Sequence, residues 1–151
     1  MSSSTPGFQP SAADPKSGRQ LVNYLYNVVL QETTDTGRTW SGVATREANG
    51  TAFLVDPANP DRMAISYKSS SSAGLYTTTD GGAHWKTCDQ GRYYDTIVAD
   101  PGKPGRIWFG GWWGLSHSDD FGATMHQVSE AEVHAVQFTA GAAYCAPPTA
   151  G

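Results

Sequence analysis

The 151-residue chain carries 14 acidic and 10 basic residues, a formal net charge of −4, and is 38% hydrophobic but only 16% charged, with 17 glycines and 9 prolines. That length suits one domain, and low charge combined with abundant Gly and aromatic residues points to a turn-rich all-β chain. No basic run could track a phosphate backbone, no apolar stretch approaches the ~20 residues of a membrane span, and Met1–Pro6 has neither the charged nor the apolar region of a signal peptide.

In chain order, the first landmark is a turn sequence, Asp14-Pro15-Lys16-Ser17-Gly18-Arg19, followed by a second, Asp35-Thr36-Gly37-Arg38-Thr39-Trp40. Both return. The first comes back as Asp56-Pro57-Ala58-Asn59-Pro60-Asp61-Arg62 and as Asp100-Pro101-Gly102-Lys103-Pro104-Gly105-Arg106. The second comes back as Asp80-Gly81-Gly82-Ala83-His84-Trp85 and as Asp120-Phe121-Gly122-Ala123-Thr124-Met125. Two different motifs alternating with one period of about 40–45 residues define an internal repeat, and a period of that size belongs to propeller blades.

Each repeat reads as four short strands bounded by Gly, Pro and Asp, with no helical period between them. Strand A is the apolar run before the Asp-Pro turn, Thr51–Val55 or Thr96–Ala99, and strand B follows it, Arg62–Tyr67 or Arg106–Gly110. Strand C is Gly74–Thr78 or Gly114–Ser118, and strand D starts at the residue after the Asp-x-Gly turn, Trp85–Thr87 or Met125–Val128. The expected fold is all-β: about three four-stranded antiparallel blades over residues 14–138, between tails at 1–13 and 139–151.

Ser/Thr-x-Asp-x-Gly-x-Thr-Trp resembles the Asp-box of the bacterial neuraminidase repeat. The match runs through Thr33–Trp40, Thr78–Trp85 with His84 at the second Thr, and Ser118–Met125 with Met125 for Trp. The paired Asp-Pro turns resemble those of xyloglucanase-like propellers. The resemblance implies β-propeller blades, a secreted setting, and a spread of activities that includes sialidases, glucanases and lectins. Asp35, Gly37, Trp40, Asp80, Gly82, Trp85, Asp120 and Gly122 are expected to be structural. The Asp accepts backbone N–H bonds of its own turn, Gly takes the positive φ, and the Trp anchors the hairpin. Three carboxylates on three blades cannot converge on one ligand, and no metal or cofactor is expected.

Because strands alternate direction, the Asp-Pro and Asp-x-Gly turns share one rim and the D–A and B–C loops share the other. In the propellers this chain resembles, ligands bind at the latter rim. Its D–A loops are Thr45–Gly50, Cys88–Asp95 and Ser129–His134, and its B–C loops are Lys68–Ala73 and Gly111–Gly114. Candidate ligand-binding residues there are Trp112, Trp113, Arg92, Tyr93, Tyr94, Asp95, Arg46 and His134. Trp faces stack on sugar rings, although the alternation of a strand would turn one of Trp112 and Trp113 inward. Arg92 has Asp89 and Asp95 within reach as ion-pair partners. A glycoside hydrolase needs two carboxyl groups flanking the bond, for which Asp95, Glu47 and Glu132 are the candidates. Only Arg46 and Arg92 reach this rim, which is short of the arginine triad a sialidase needs.

The expected function is a non-catalytic, lectin-like propeller module that binds a glycan or polysaccharide. The alternatives are a glycoside hydrolase or part of one, and a protein-docking propeller. Three blades do not close a ring. Gly7-Phe8-Gln9-Pro10 makes a poor strand A, whereas His134–Phe138 supplies a surplus one. Strand exchange between two copies would therefore give a six-bladed homo-oligomeric ring, the alternative being membership of a larger propeller. Cys88 and Cys145 allow either two thiols or one disulfide.

Overall fold

The computed structural model describes residues 8–13, 20–24, 30–43, 49–68, 73–139 and 142–146. Fourteen strands and no helix occur among them. The first sheet is β1 (Phe8–Ala13), β2 (Gln20–Tyr24), β3 (Leu30–Thr33) and β4 (Ser41–Val43). The second is β5 (Asn49–Val55), β6 (Met63–Lys68), β7 (Ala73–Thr78) and β8 (Lys86–Gln90). The third is β9 (Thr96–Ala99), β10 (Ile107–Gly111), β11 (Gly114–Ser118) and β12 (His126–Ser129). A hairpin of β13 (Ala135–Thr139) and β14 (Ala142–Ala146) follows. Within every sheet the strands pair antiparallel in chain order. The leading strands β1, β5, β9 and β13 lie next to one another in that order, so the sheets are arrayed like blades about a common inner edge.

Two differences from the sequence expectations lie at the ends. Residues 8–13, read as part of a tail, form β1, and the first sheet therefore has its innermost strand. Pro10 is tolerated because β1 is an edge strand within its sheet and its pairing with β2 shifts register between Pro10 and Ala12, the two settings in which a strand accepts proline. Residues 142–146, also read as tail, pair with β13 from Ala135↔Ala146 to Thr139↔Ala142. β13 therefore has a partner strand of its own within this chain. The Asp14–Arg19 turn lies outside the described residues.

The core is divided between sheets. Phe53, Val55, Met63, Ile65 and Tyr67 cluster on one face of the second sheet, with Trp85 packed against them. The opposite face presents Ala64 and Leu75 to Ile97, Ile107, Phe109 and Phe121 of the third, where Met125 also packs. Leu115, Val133 and Val136 form a third cluster with Val98, Trp108 and Phe138. Strand alternation explains the partition: Met63, Ile65 and Tyr67 point one way along β6, Ala64 and Ser66 the other.

The three Asp-x-Gly turns are built alike. Thr33, Thr78 and Ser118 each donate a hydroxyl proton to the turn aspartate and accept the N–H of Gly37, Gly82 or Gly122 at 2.7–3.1 Å. The aspartates accept backbone N–H groups from Thr39, His84 and Thr124 in turn. Gly37, Gly82 and Gly122 have φ of +88°, +96° and +94°. The preceding residue is left-handed as well: Gly81 takes φ +71° freely, but Thr36 at +60° and Phe121 at +54° do so against side-chain sterics. Phe121 is held there by burial and by the Arg62 guanidinium 5.9 Å from its ring centre.

These hydrogen bonds favour the ionised carboxylates. Bonds from Thr39, foremost its hydroxyl, lower Asp35 to about 2; the His84 N–H lowers Asp80, and the Thr124 N–H lowers Asp120. A carboxylate depressed in the folded state contributes stability that is present above its unfolded value of about 3.9 and is lost as pH falls through the folded one. Urea midpoints are therefore expected to fall as pH drops from about 4 towards 2. The triple variant Asp35→Asn, Asp80→Asn, Asp120→Asn should show a lower midpoint at neutral pH and a flatter acid limb. An unchanged acid limb would remove these turns as its source.

Candidate functional site

The rim opposite the Asp-x-Gly turns is organised around Gly110 and Gly111 at the end of β10. A Cβ on Gly111 would sit 3.1–3.3 Å from backbone atoms of Tyr93, Tyr94 and Asp95, so glycine lets the β10–β11 hairpin lie directly on that segment. Asp95 N–H donates to the Gly110 carbonyl at 2.8 Å and Val133 N–H to the Gly111 carbonyl at 3.1 Å. The second and third D–A loops are thereby tied to the same strand end.

Trp112 and Trp113 occupy the tip of this hairpin, between the paired Gly111 and Gly114. Gly114, at φ +95°, supplies the left-handed residue that closes the tight turn. Trp112 is 61% exposed and Trp113 42%. The expected inward rotation of one ring does not occur, because both residues belong to the turn and strand alternation does not reach them. The Gln127 amide donates to the Trp113 carbonyl at 3.2 Å, and the Arg92 guanidinium stands 5.6 Å from the centre of the Trp113 ring.

Tyr94 anchors the neighbouring loop. Its N–H donates to Ser66 Oγ at 2.7 Å, its carbonyl accepts the Thr51 hydroxyl at 2.7 Å, and its own hydroxyl donates to Asp89 at 2.7 Å. Its ring is buried against Phe109, with centroids 5.5 Å apart. Burial, with the bond to Asp89 next, pushes its hydroxyl above the usual tyrosine range, so it stays a donor. The sequence offers Tyr94 as a ligand contact; the structure makes it the bolt between sheets two and three. Tyr93 next to it is half-buried and lies under Lys68, whose ammonium is 4.3 Å from the ring centre and donates to the Tyr93 hydroxyl at 3.1 Å.

His134, just before β13, sits between two carboxylates: Nε2 is 2.8 Å from Glu132 and Nδ1 3.3 Å from Asp95. The imidazole thus bridges Asp95 and Glu132 and links the two loops that carry them. Arg46 and Glu47 lie outside the described residues. The expected pairing of Arg92 with Asp89 or Asp95 is absent, since Tyr94 holds the first and His134 the second.

Sequence reasoning places Lys68 on this rim but gives it no role, and it misses the Thr51–Ser66 clasp entirely. The only signal for the clasp is two hydroxyls on inward positions of β5 and β6. Among the described residues, no group of three or more His, Cys, Asp or Glu side chains is arranged to hold a metal ion. Cys88 is half-buried and Cys145 exposed, and both are free thiols. A groove of about 250 Å³ lies elsewhere, at the seam where Phe121 and Gly122 meet Thr77 and Lys86.

Serial four-stranded antiparallel sheets with adjacent innermost strands define a segment of a β-propeller. Solved structures agree. An ancestral GH74 enzyme matches with a TM-score of 0.62 at 17% identity, over 78% of this chain and 18% of that one. The GH74 enzyme of Niastella koreensis matches at 0.64 and 19%, over 88% and 24%. The GH74 xyloglucanase from Xanthomonas campestris matches at 0.61 and 18%, over 80% and 22%. At such identities the likeness shows the fold, and the chain spans about a fifth of the length of these structures. No protein-family model and no curated protein matches it.

Proposed function

We propose that this chain is the carbohydrate-recognising part of a glycoside hydrolase-like β-propeller and that the Trp112–Trp113 hairpin is its contact surface. The observation that carries this reading is the pair of consecutive, exposed indoles on a turn that Gly111, Gly114, Gln127 and Arg92 hold in place. A large apolar ring left in water on a braced turn suits a partner with an apolar face and hydroxyl edges, as a sugar ring has. The fold shared with GH74 enzymes, one of them a xyloglucanase, supports a polysaccharide as the ligand class. In this reading the Asp-x-Gly turns are Asp-boxes, and further blades, from a continuing chain or a second copy, complete the ring.

Hydrolysis is the second reading, favoured by the same structural neighbours. Binding to a glycan array combined with a reducing-end assay on xyloglucan and sialylated glycans separates the two. Binding without turnover, weakened about tenfold or more by Trp112→Ala or Trp113→Ala and retained in a folded Asp80→Asn control, supports recognition alone. New reducing ends that disappear in Asp95→Asn would overturn it in favour of hydrolysis. Absence of both would leave the aromatic rim as a protein-docking surface.

A further inference from the structure

Three cations beside the Asp-Pro turns are ion-paired. On the Asp-Pro side, Arg62 lies 3.7 Å from Asp56, Lys103 lies 3.0 Å from Asp119, and Arg106 contacts both Asp119 and Asp100. On the aromatic rim, Arg92 and Lys68 are exposed and stand over Trp113 and Tyr93, with no carboxylate within 4 Å among the described residues. Acids are not lacking there. Asp89 is held by the Tyr94 hydroxyl, and Asp95 and Glu132 by His134. Three of the rim's carboxylates are thus held by other partners and Glu130 stands exposed on the same loop as Glu132, while Arg92 and Lys68 each sit on an aromatic ring with no carboxylate within 4 Å among the described residues.

A cation over a ring face is oriented but not neutralised, because the quadrupole offers no formal charge to cancel it. Arg92 beside Trp113 thus presents, at one place, a face for a sugar ring and a planar donor fork that matches a carboxylate. Lys68 repeats the combination as a point charge beside Tyr93. A neutral glycan would use the rings and leave both charges unanswered.

We propose that this rim selects carboxylate-bearing glycans, in which a uronic acid unit stacks on the aromatic platform and places its carboxylate against Arg92, with Lys68 reading a second acidic unit. The inference rests on the carbohydrate reading of the rim and adds the sign of the ligand's charge to it. The test is calorimetric titration with tetragalacturonate and with an aldouronic xylo-oligosaccharide, each compared with its own carboxyl-methyl ester, and with a neutral xyloglucan oligosaccharide. The ester keeps the ring and removes only the charge.

At least one acid is expected to bind about tenfold tighter than its ester, with the preference shrinking at high salt. The Arg92→Gln, Lys68→Gln variant, with an unchanged far-UV spectrum, should bind acid and ester alike. Equal binding of acid and ester by the unaltered protein would overturn the charge selection and leave the carbohydrate reading standing. No binding of any of the five probes by the folded protein would overturn both.

Discussion

Phe109→Ala is expected to cost about 3–5 kcal/mol of unfolding free energy, the range for truncating a fully enclosed aromatic. Phe109 has no exposed surface and lies in the cluster that joins Ala64 and Leu75 of the second sheet to Ile97 and Ile107 of the third. Its ring also packs on Tyr94, so the cavity opens beneath the loop that carries Arg92 and Tyr93. Urea denaturation measures the loss, and Ile65→Val, within the neighbouring cluster, should cost only about 0.5–1.5 kcal/mol. A cost for Phe109→Ala no larger than that of Ile65→Val would mean that the two sheets are not coupled through this contact.

Gly114→Ala should have the largest effect on the rim. An alanine at φ +95° carries strain of about 1–3 kcal/mol, and the added Cβ would collide with the Ser129 carbonyl oxygen. Backbone cannot yield as a flexible side chain can, so the hairpin must re-aim or separate from β12. Trp113 then leaves its position beside Arg92, and Trp112 moves with it. The expected result is a clear drop in stability together with loss of glycan binding. Gly91→Ala is the control, since Gly91 has φ +89° but a Cβ added there would meet no atom within 4 Å. It shares the strain without the collision. If both variants bind glycan as the unaltered protein does, the exact seat of the Trp hairpin is irrelevant to recognition.

The blades are legible in the amino-acid order because their turns depend on local chemistry. Aspartate satisfying its own turn, and glycine at a positive φ, require nothing from the remainder of the chain, so the repeat of Asp35, Asp80 and Asp120 carries the architecture. Even there, the left-handed residue one position earlier escapes a reading of the sequence. Gly81 suggests it, but Thr36 and Phe121 conceal it.

What the amino-acid order determined by itself is therefore the strand count per repeat, the alternation of turns and the rim on which each loop falls. What the tertiary structure decided is everything that depends on distant neighbours. Pro10 argues against a strand that an edge position and a register shift accommodate, and β14 has no turn motif to announce it. Tyr94 and Tyr93 are adjacent in sequence and equal in chemistry, yet one is buried against Phe109 and the other lies under Lys68. Asp95 and Glu132 are candidates for a catalytic pair by residue type and rim, and the fold adds that His134 bridges them. Turn chemistry is set within a few residues, whereas burial, ion pairing and the bridging of loops are set by which strands the blades bring side by side.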